Sequence, residues 1–208
     1  PMRAITTRLG RIRGLESEGV KSFLGLRYGA PPTGSQRFLA PVKACGWQDV
    51  FDAVHYPNRS MQNSGALSLR SYVPGEPNED CLFLNITTPA LTGSLRPVMV
   101  WIHGGGFVGG SANEYDTRVL SRQGDMVVVS LNFRVGTLGF LDLSSHGEAY
   151  HGSACNGLRD IILALQWVRD NIDEYGGDPQ NITLAGQSSG ATKVLALLGA
   201  PSADGLFH

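Results

Sequence analysis

"NITLAGQSSGATKVLALLG", residues 181–199, is the stretch on which the fold turns. Residues 181–186 are β-branched and apolar, as in a buried strand, and "ATKVLALLGA" (191–200) reads as a helix directly after it. Between them, Gly186-Gln187-Ser188-Ser189-Gly190 fits G-x-S-x-G. A strand, this pattern and a helix make the context of a nucleophile elbow. The middle serine then sits at the tip of a strained turn that tolerates only small neighbours. Ser188 is that serine, and Ser189 offers a backbone N–H at the helix start, aimed at an oxyanion. The alternative is a Gly/Ser turn without chemistry.

Upstream, "PVMVWIHG" (97–104) and "DMVVVSLNFR" (125–134) are nearly continuous apolar runs, the signature of strands covered on both faces. "CLFLNIT" (81–87) reads as another strand, and residues around 114–123 as a short helix. Leu158, Ile161, Ile162, Leu165, Val168 and Ile172 recur at helical spacing, predicting a helix over about 157–175 that stops at "YGGDP". Strands alternating with helices imply a largely parallel sheet in an α/β domain. Before residue 52, "GRIRGL" and "KSFLGLRYG" are short β-like pieces, separated by turns such as "APPTGSQRF". Residues 55–80 are polar and loop-like.

Composition bounds the function. The chain has 208 residues, 42% hydrophobic and 17% charged, enough for one sizeable core. Lys+Arg is 17 against Asp+Glu 18, a net charge of −1 with no basic run, which speaks against a nucleic-acid partner. No apolar stretch reaches membrane-span length, so no membrane span is expected. The start, "PMRAITTRLG", has no signal-peptide core. Cys45, Cys81 and Cys155 form no CxxC, so no metal site is expected, and their odd number points to a reducing, cytoplasmic setting. No cofactor is implied.

The second chemical constellation is "WIHGGGFVGG", 101–110, at the end of a buried strand. A histidine followed by three glycines is the oxyanion loop of lipases and esterases. Gly105 and Gly106 are the expected N–H donors. The same glycines satisfy GxGxxG (Gly104, Gly106, Gly109), a dinucleotide fingerprint. That reading needs an acid ending the next strand, and "SLNFR" supplies none. His103 lies within the loop and precedes Ser188, against the Ser–acid–His order of α/β-hydrolases, so its expected role is to structure the loop. His55, His146 and His151 precede the serine too. Asp204 and His208 follow it, but with little room for an acid-bearing strand end.

Taken together, "FLGLRYGAPPTGSQRF" (23–38), "EDCLFLN" (79–85), "PVMVWIHGGGF" (97–107), "VVVSLNFRVGTLGFL" (127–141), "GLRDIILALQWVRDNIDEYGGDPQNITLAGQSSGA" (157–191) and "GLFH" (205–208) resemble the type-B carboxylesterase/cholinesterase family, nearest in look to its bacterial esterases. The resemblance implies an α/β-hydrolase fold: the N-terminal part of a mostly parallel sheet flanked by helices, with small N-terminal antiparallel hairpins. It implies a serine carboxylic-ester hydrolase acting on small-molecule esters. Ser188 corresponds to the nucleophile, and Gly105, Gly106 and the N–H of Ser189 to the oxyanion hole. The family's triad acid and histidine lie further along, so residues 1–208 match the N-terminal portion of one hydrolase domain. Alone they are expected to be inactive, with an uncovered sheet edge. The family pattern also maps ion pairs onto Arg37 with Glu79 and Arg134 with Asp160. Three departures stand out. Gln187 replaces the usual Glu. Ser60 stands at the usual disulfide partner position of Cys81. Cys155 and Ile161 replace Asn and Gln. The sequons at Asn58, Asn85 and Asn181 read as chance matches. The rival class is an esterase-like adhesion protein, but such relatives often lack the nucleophile, which is retained here.

Overall fold

The strands expected at 81–87, 97–104, 125–134 and 181–186 come together in one sheet in the computed structural model, which describes residues 1–63 and 72–208. In chain order the strands are β1 (Ile5–Thr7), β2 (Gly10–Arg13), β3 (Leu15–Ser17), β4 (Val20–Arg27), β5 (Phe51–Asp52), β6 (Arg59–Ser60), β7 (Pro77–Asn78), β8 (Phe83–Thr88), β9 (Arg96–Ile102), β10 (Val127–Leu131) and β11 (Gly177–Gly186). The α-helices are α1 (Arg118–Gly124), α2 (Gly136–Phe140), α3 (Asn156–Asn171) and α4 (Ser189–Leu198). The middle of the loop-like stretch, 64–71, lies outside the described residues.

The six-stranded sheet runs β11-β9-β10-β8-β4-β3. β10 is buried along its whole length because a strand lies on each side of it and layers cover both faces. Each Val or Leu so buried contributes roughly 1.5–3 kcal/mol of transfer free energy. β9 and β10 pair in parallel, as do β11 and β9. The pairings of β10 with β8, β8 with β4, and β4 with β3 are antiparallel. The α/β class and the antiparallel N-terminal hairpins (β1 with β2, β3 with β4) are as expected. The described sheet is mixed, however, with its parallel character concentrated in β9, β10 and β11.

The helices follow from their residues. α3 buries Ile161, Ala164, Leu165, Trp167, Val168 and Ile172 at its end, and a 3₁₀ turn (Ile172–Tyr175) closes at Gly176, whose φ of +86° is glycine's own region. α2 goes beyond the sequence expectation, because five residues starting at a glycine carry no periodic signal. The loop-like region holds a two-residue parallel bridge between β6 and β7. No helix among the described residues is long and apolar enough to cross a membrane.

Topology positions the site. The chain leaves β9 through α1 to reach β10 on one side, then leaves β10 through α3 to reach β11 on the other side. Right-handed crossovers therefore put α1 and α3 on opposite faces. Sequence-distant loops meet at the C-terminal ends of β9 and β11, where Ile102 pairs with Gly186. Open α/β sheets bind ligands at such a switch point.

Candidate active site

The turn after β11 has the geometry its sequence calls for. Ser188 has φ +58° and ψ −125°, a conformation L-residues rarely adopt, and α4 begins at the next residue. Its carbonyl accepts the Thr192 N–H at 3.2 Å, and the Gln187 carbonyl accepts the Gly190 N–H at 3.0 Å. Small neighbours are compulsory. A Cβ on Gly190 would stand 2.1 Å from the Ile102 carbonyl oxygen, and one on Gly186 would stand 2.6 Å from the Gly190 carbonyl carbon. Ser188 and Gln187 are exposed, whereas Ser189 is buried and its Oγ finds no hydrogen-bond partner among the described residues. Ser189 is the first residue of α4, and its carbonyl accepts the Lys193 ammonium at 3.4 Å.

The glycine loop after β9 meets this turn directly. A Cβ on Gly104 would lie 2.5 Å from the Gln187 carbonyl oxygen and 3.2 Å from the Ser188 Cβ. Gly105, at φ +133°, turns the chain so that its carbonyl accepts the N–H groups of Val108 and Gly109, each at 3.1 Å. Gly106 follows at φ +62° and is exposed. The structure thus brings Ser188, Ser189, Gly105 and Gly106, about 80 residues apart in sequence, to one end of the sheet.

His103 is buried, stacks on Phe133 at 4.3 Å between ring centroids, and donates from Nδ1 to the Gly104 carbonyl at 2.8 Å. Burial pulls its pKa down to about 4, outweighing that hydrogen bond, so the ring is neutral at pH 7. This is the loop-structuring role read from the sequence. His208 sits elsewhere. Its N–H donates to the Ile182 carbonyl at 2.8 Å and its Nδ1 accepts the Ile182 N–H at 3.3 Å. At about 3.3 Å of strand rise per residue, Ile182 is roughly 13 Å back from Gly186. The Asp204–His208 pairing is not at the elbow. The GxGxxG reading fares no better, because no helix starts at the glycine loop to receive a pyrophosphate; a turn and a 3₁₀ segment (Ala112–Glu114) follow instead.

Supporting residues were less visible in the sequence. Gln62 grips Gly110 from both sides: Oε1 accepts its N–H and Nε2 donates to its carbonyl, each at 2.9 Å. Asn132 Oδ1 accepts the Ala112 N–H at 2.8 Å, and its Nδ2 donates to the Asn58 carbonyl at 3.0 Å. Lys193 of α4 is fully buried beneath the loop. Isolated polar residues in loops, and a lysine in a helix, carry no motif that would single them out.

Both mapped ion pairs form. Arg37 and Glu79 make a bidentate pair with two 2.6 Å hydrogen bonds at the surface. Arg134 and Asp160 are buried, with the guanidinium on both carboxylate oxygens at 2.9 and 2.7 Å, the Arg134 N–H on Asp160 at 3.0 Å, and a further bond to the Leu39 carbonyl. Cys45, Cys81 and Cys155 are all free thiols. Asn85 is buried and accepts the Gly25 N–H, which leaves no room for a glycan.

A family model described as "Carboxylesterase family" matches residues 1–208. The chain is 44% identical over 206 residues to the para-nitrobenzyl esterase of Bacillus subtilis (strain 168), covering 98% of this chain and 42% of that protein. It is 42% identical over 209 residues to the phenmedipham hydrolase of Pseudarthrobacter oxydans, covering 97% of this chain and 41% of that one. A crystal structure of a Geobacillus stearothermophilus carboxylesterase superposes with a TM-score of 0.91 at 43% identity, over 99% of this chain and 42% of that one. The chain thus spans about two fifths of the length of these relatives.

Proposed function

The chain belongs to the carboxylesterase family, and from that premise we propose that the whole protein is a serine hydrolase of small-molecule carboxylic esters. Ser188 is the nucleophile. Its Oγ attacks the ester carbonyl, and the N–H groups of Gly105, Gly106 and Ser189 receive the charge that develops on the carbonyl oxygen. The alcohol leaves, and water then cleaves the acyl-enzyme. Loss of one such donor typically costs about 10²–10³ in turnover.

One observation carries this reading. Ser188 holds a rare positive-φ backbone at the β11–α4 junction, and that turn is packed against the glycine loop at the switch point of the sheet. Such strain persists only where the surroundings enforce it.

His103 is unsuited to be the base, being neutral, buried and committed to Gly104. In this reading residues 1–208 are the N-terminal portion of a single α/β-hydrolase domain, and the triad acid and histidine come from outside them. Ser188 faces solvent, in keeping with pocket walls supplied by other residues. The test is hydrolysis of short-chain p-nitrophenyl esters by the protein as its gene encodes it. Ser188→Ala is expected to abolish turnover while leaving the fold intact. Unchanged turnover in that variant would refute the assignment.

A further inference from the structure

α4 starts at the elbow and sends one side chain back toward the glycine loop. Lys193 is 1% exposed, and its Nζ lies 3.8 Å from the centroid of the Phe107 ring, 5.2 Å from that of Phe133 and 5.6 Å from that of Phe140. The ammonium donates to the Ser189 carbonyl at 3.4 Å. Among the described residues no carboxylate forms an ion pair with it, and desolvation is what acts on its charge. An apolar side chain would fill such a place without desolvating a cation, so the lysine calls for a reason.

Phe107 supplies one. It follows Gly105 and Gly106 in the loop and has φ +67°, a left-handed backbone unusual for a bulky residue. Three contacts hold it there. Its carbonyl accepts the Gly136 N–H at 2.6 Å. Its ring meets Phe140 edge-on at 5.1 Å and 81°. The face of the ring takes the Lys193 ammonium. A cation over an aromatic face in a desolvated site is a directional attraction, stronger there than at an exposed site.

We infer that Lys193 is a positioning residue for the glycine loop: reaching over from the elbow helix, its ammonium fixes Phe107 and thereby the N–H groups of Gly105 and Gly106 relative to Ser188. The catalytic consequence rests on the esterase reading; the link between lysine and loop does not. The clamp works only while the amine is charged. Burial lowers the Lys193 pKa to about 8, so the clamp loosens as pH rises through that value. The titratable group facing Lys193 from the residue just after β9 is His103, already neutral with its pKa near 4. From the loop after β10, Arg134 is turned away onto Asp160. Neither changes charge between pH 7 and 9.

The experiment follows both ends of the clamp in the protein as its gene encodes it. NMR titration of the Lys193 Cε signal is expected to give a midpoint near 8. The amide signals of Gly105 and Gly106 are expected to move with that midpoint, and to lose the transition in Lys193→Met. Loop amides indifferent to the Lys193 midpoint would overturn the inference, whatever the enzyme does. In kinetics, Lys193→Met is expected to lower kcat about ten-fold with KM changed less than about two-fold, a fraction of the loss caused by removing an oxyanion donor. Lys193→Arg, which keeps a cation on the ring, is expected to recover most of it. A Lys193→Met enzyme with wild-type kcat would overturn the positioning role. Turnover that survives Ser188→Ala would instead refute the esterase reading and leave the NMR result to decide the clamp. If Lys193→Met fails to fold, the wild-type titration still decides.

Discussion

Gly190 lies so close to Ile102 that a Cβ on the glycine would stand 2.1 Å from the Ile102 carbonyl oxygen. The elbow helix is thus seated on the end of β9 by bare backbone, and the two halves of the site are in register because nothing separates them. Gly190→Ala pushes against main chain, which cannot rotate aside. Overpacking costs typically about 1–3 kcal/mol, and this clash belongs at the upper end. Urea denaturation is expected to give a midpoint lowered accordingly; a wild-type midpoint would mean that the elbow is not wedged against β9.

Arg134 and Asp160 tie the loop after β10 to α3. Because both are buried, removing one leaves an uncompensated charge. Arg134→Ala is expected to cost about 3–5 kcal/mol. Arg37→Ala, in a pair open to solvent, is expected to cost less than about 1 kcal/mol. Chemical denaturation of the two variants side by side checks the contrast, and equal losses would contradict it.

The buried His103 predicts an acid limb of stability. Its folded pKa, about 4, lies below the unfolded value of about 6.5. Between these values the unfolded chain binds more protons, so this contribution is full above pH 6.5 and is lost as pH falls through 4. It amounts to ~3 kcal/mol. The pH dependence of the urea midpoint measures it, and His103→Gln is expected to flatten that window.

Lys193 obeys the same sign at higher pH, since its pKa of about 8 lies below the ordinary value of 10.5. At pH 7 the fold therefore carries the penalty of a desolvated cation. Lys193→Met is expected to raise the melting temperature while turnover falls, a separation of stability from activity. A joint fall of both would mark an ordinary packing residue.

Gln62 holds Gly110 by two hydrogen bonds and so anchors the far end of the glycine loop. Gln62→Ala is expected to lower kcat/KM roughly ten-fold or more, since small displacements of catalytic groups are costly in rate. Steady-state kinetics on p-nitrophenyl acetate tests this, with unchanged kcat/KM as the contrary result.

Much of the fold was legible because its central strands carry a strong signal. β9 and β10 are nearly continuous apolar runs, and α3 has a regular apolar stripe. The antiparallel half was harder to read, since pairing direction depends on strands far apart in sequence. α2 was hidden by its brevity. In α4 the obvious cue points the wrong way. Gly190, Lys193 and Leu197 share the buried stripe, while Leu195 and Leu198 are exposed. A lysine reads as solvated surface until the spacing 190, 193, 197 is compared with the elbow from which the helix starts. The elbow and glycine loop were legible because their chemistry constrains the backbone, and Gly and Ser record that constraint in the sequence.

The most direct measurement is the site of covalent labelling by a fluorophosphonate in the protein as its gene encodes it, located by peptide mass spectrometry. The account predicts a single adduct on the peptide carrying Ser188, abolished by Ser188→Ala and retained in Ser189→Ala. No labelling of the folded, unmodified protein, or an adduct on any other residue, would contradict it.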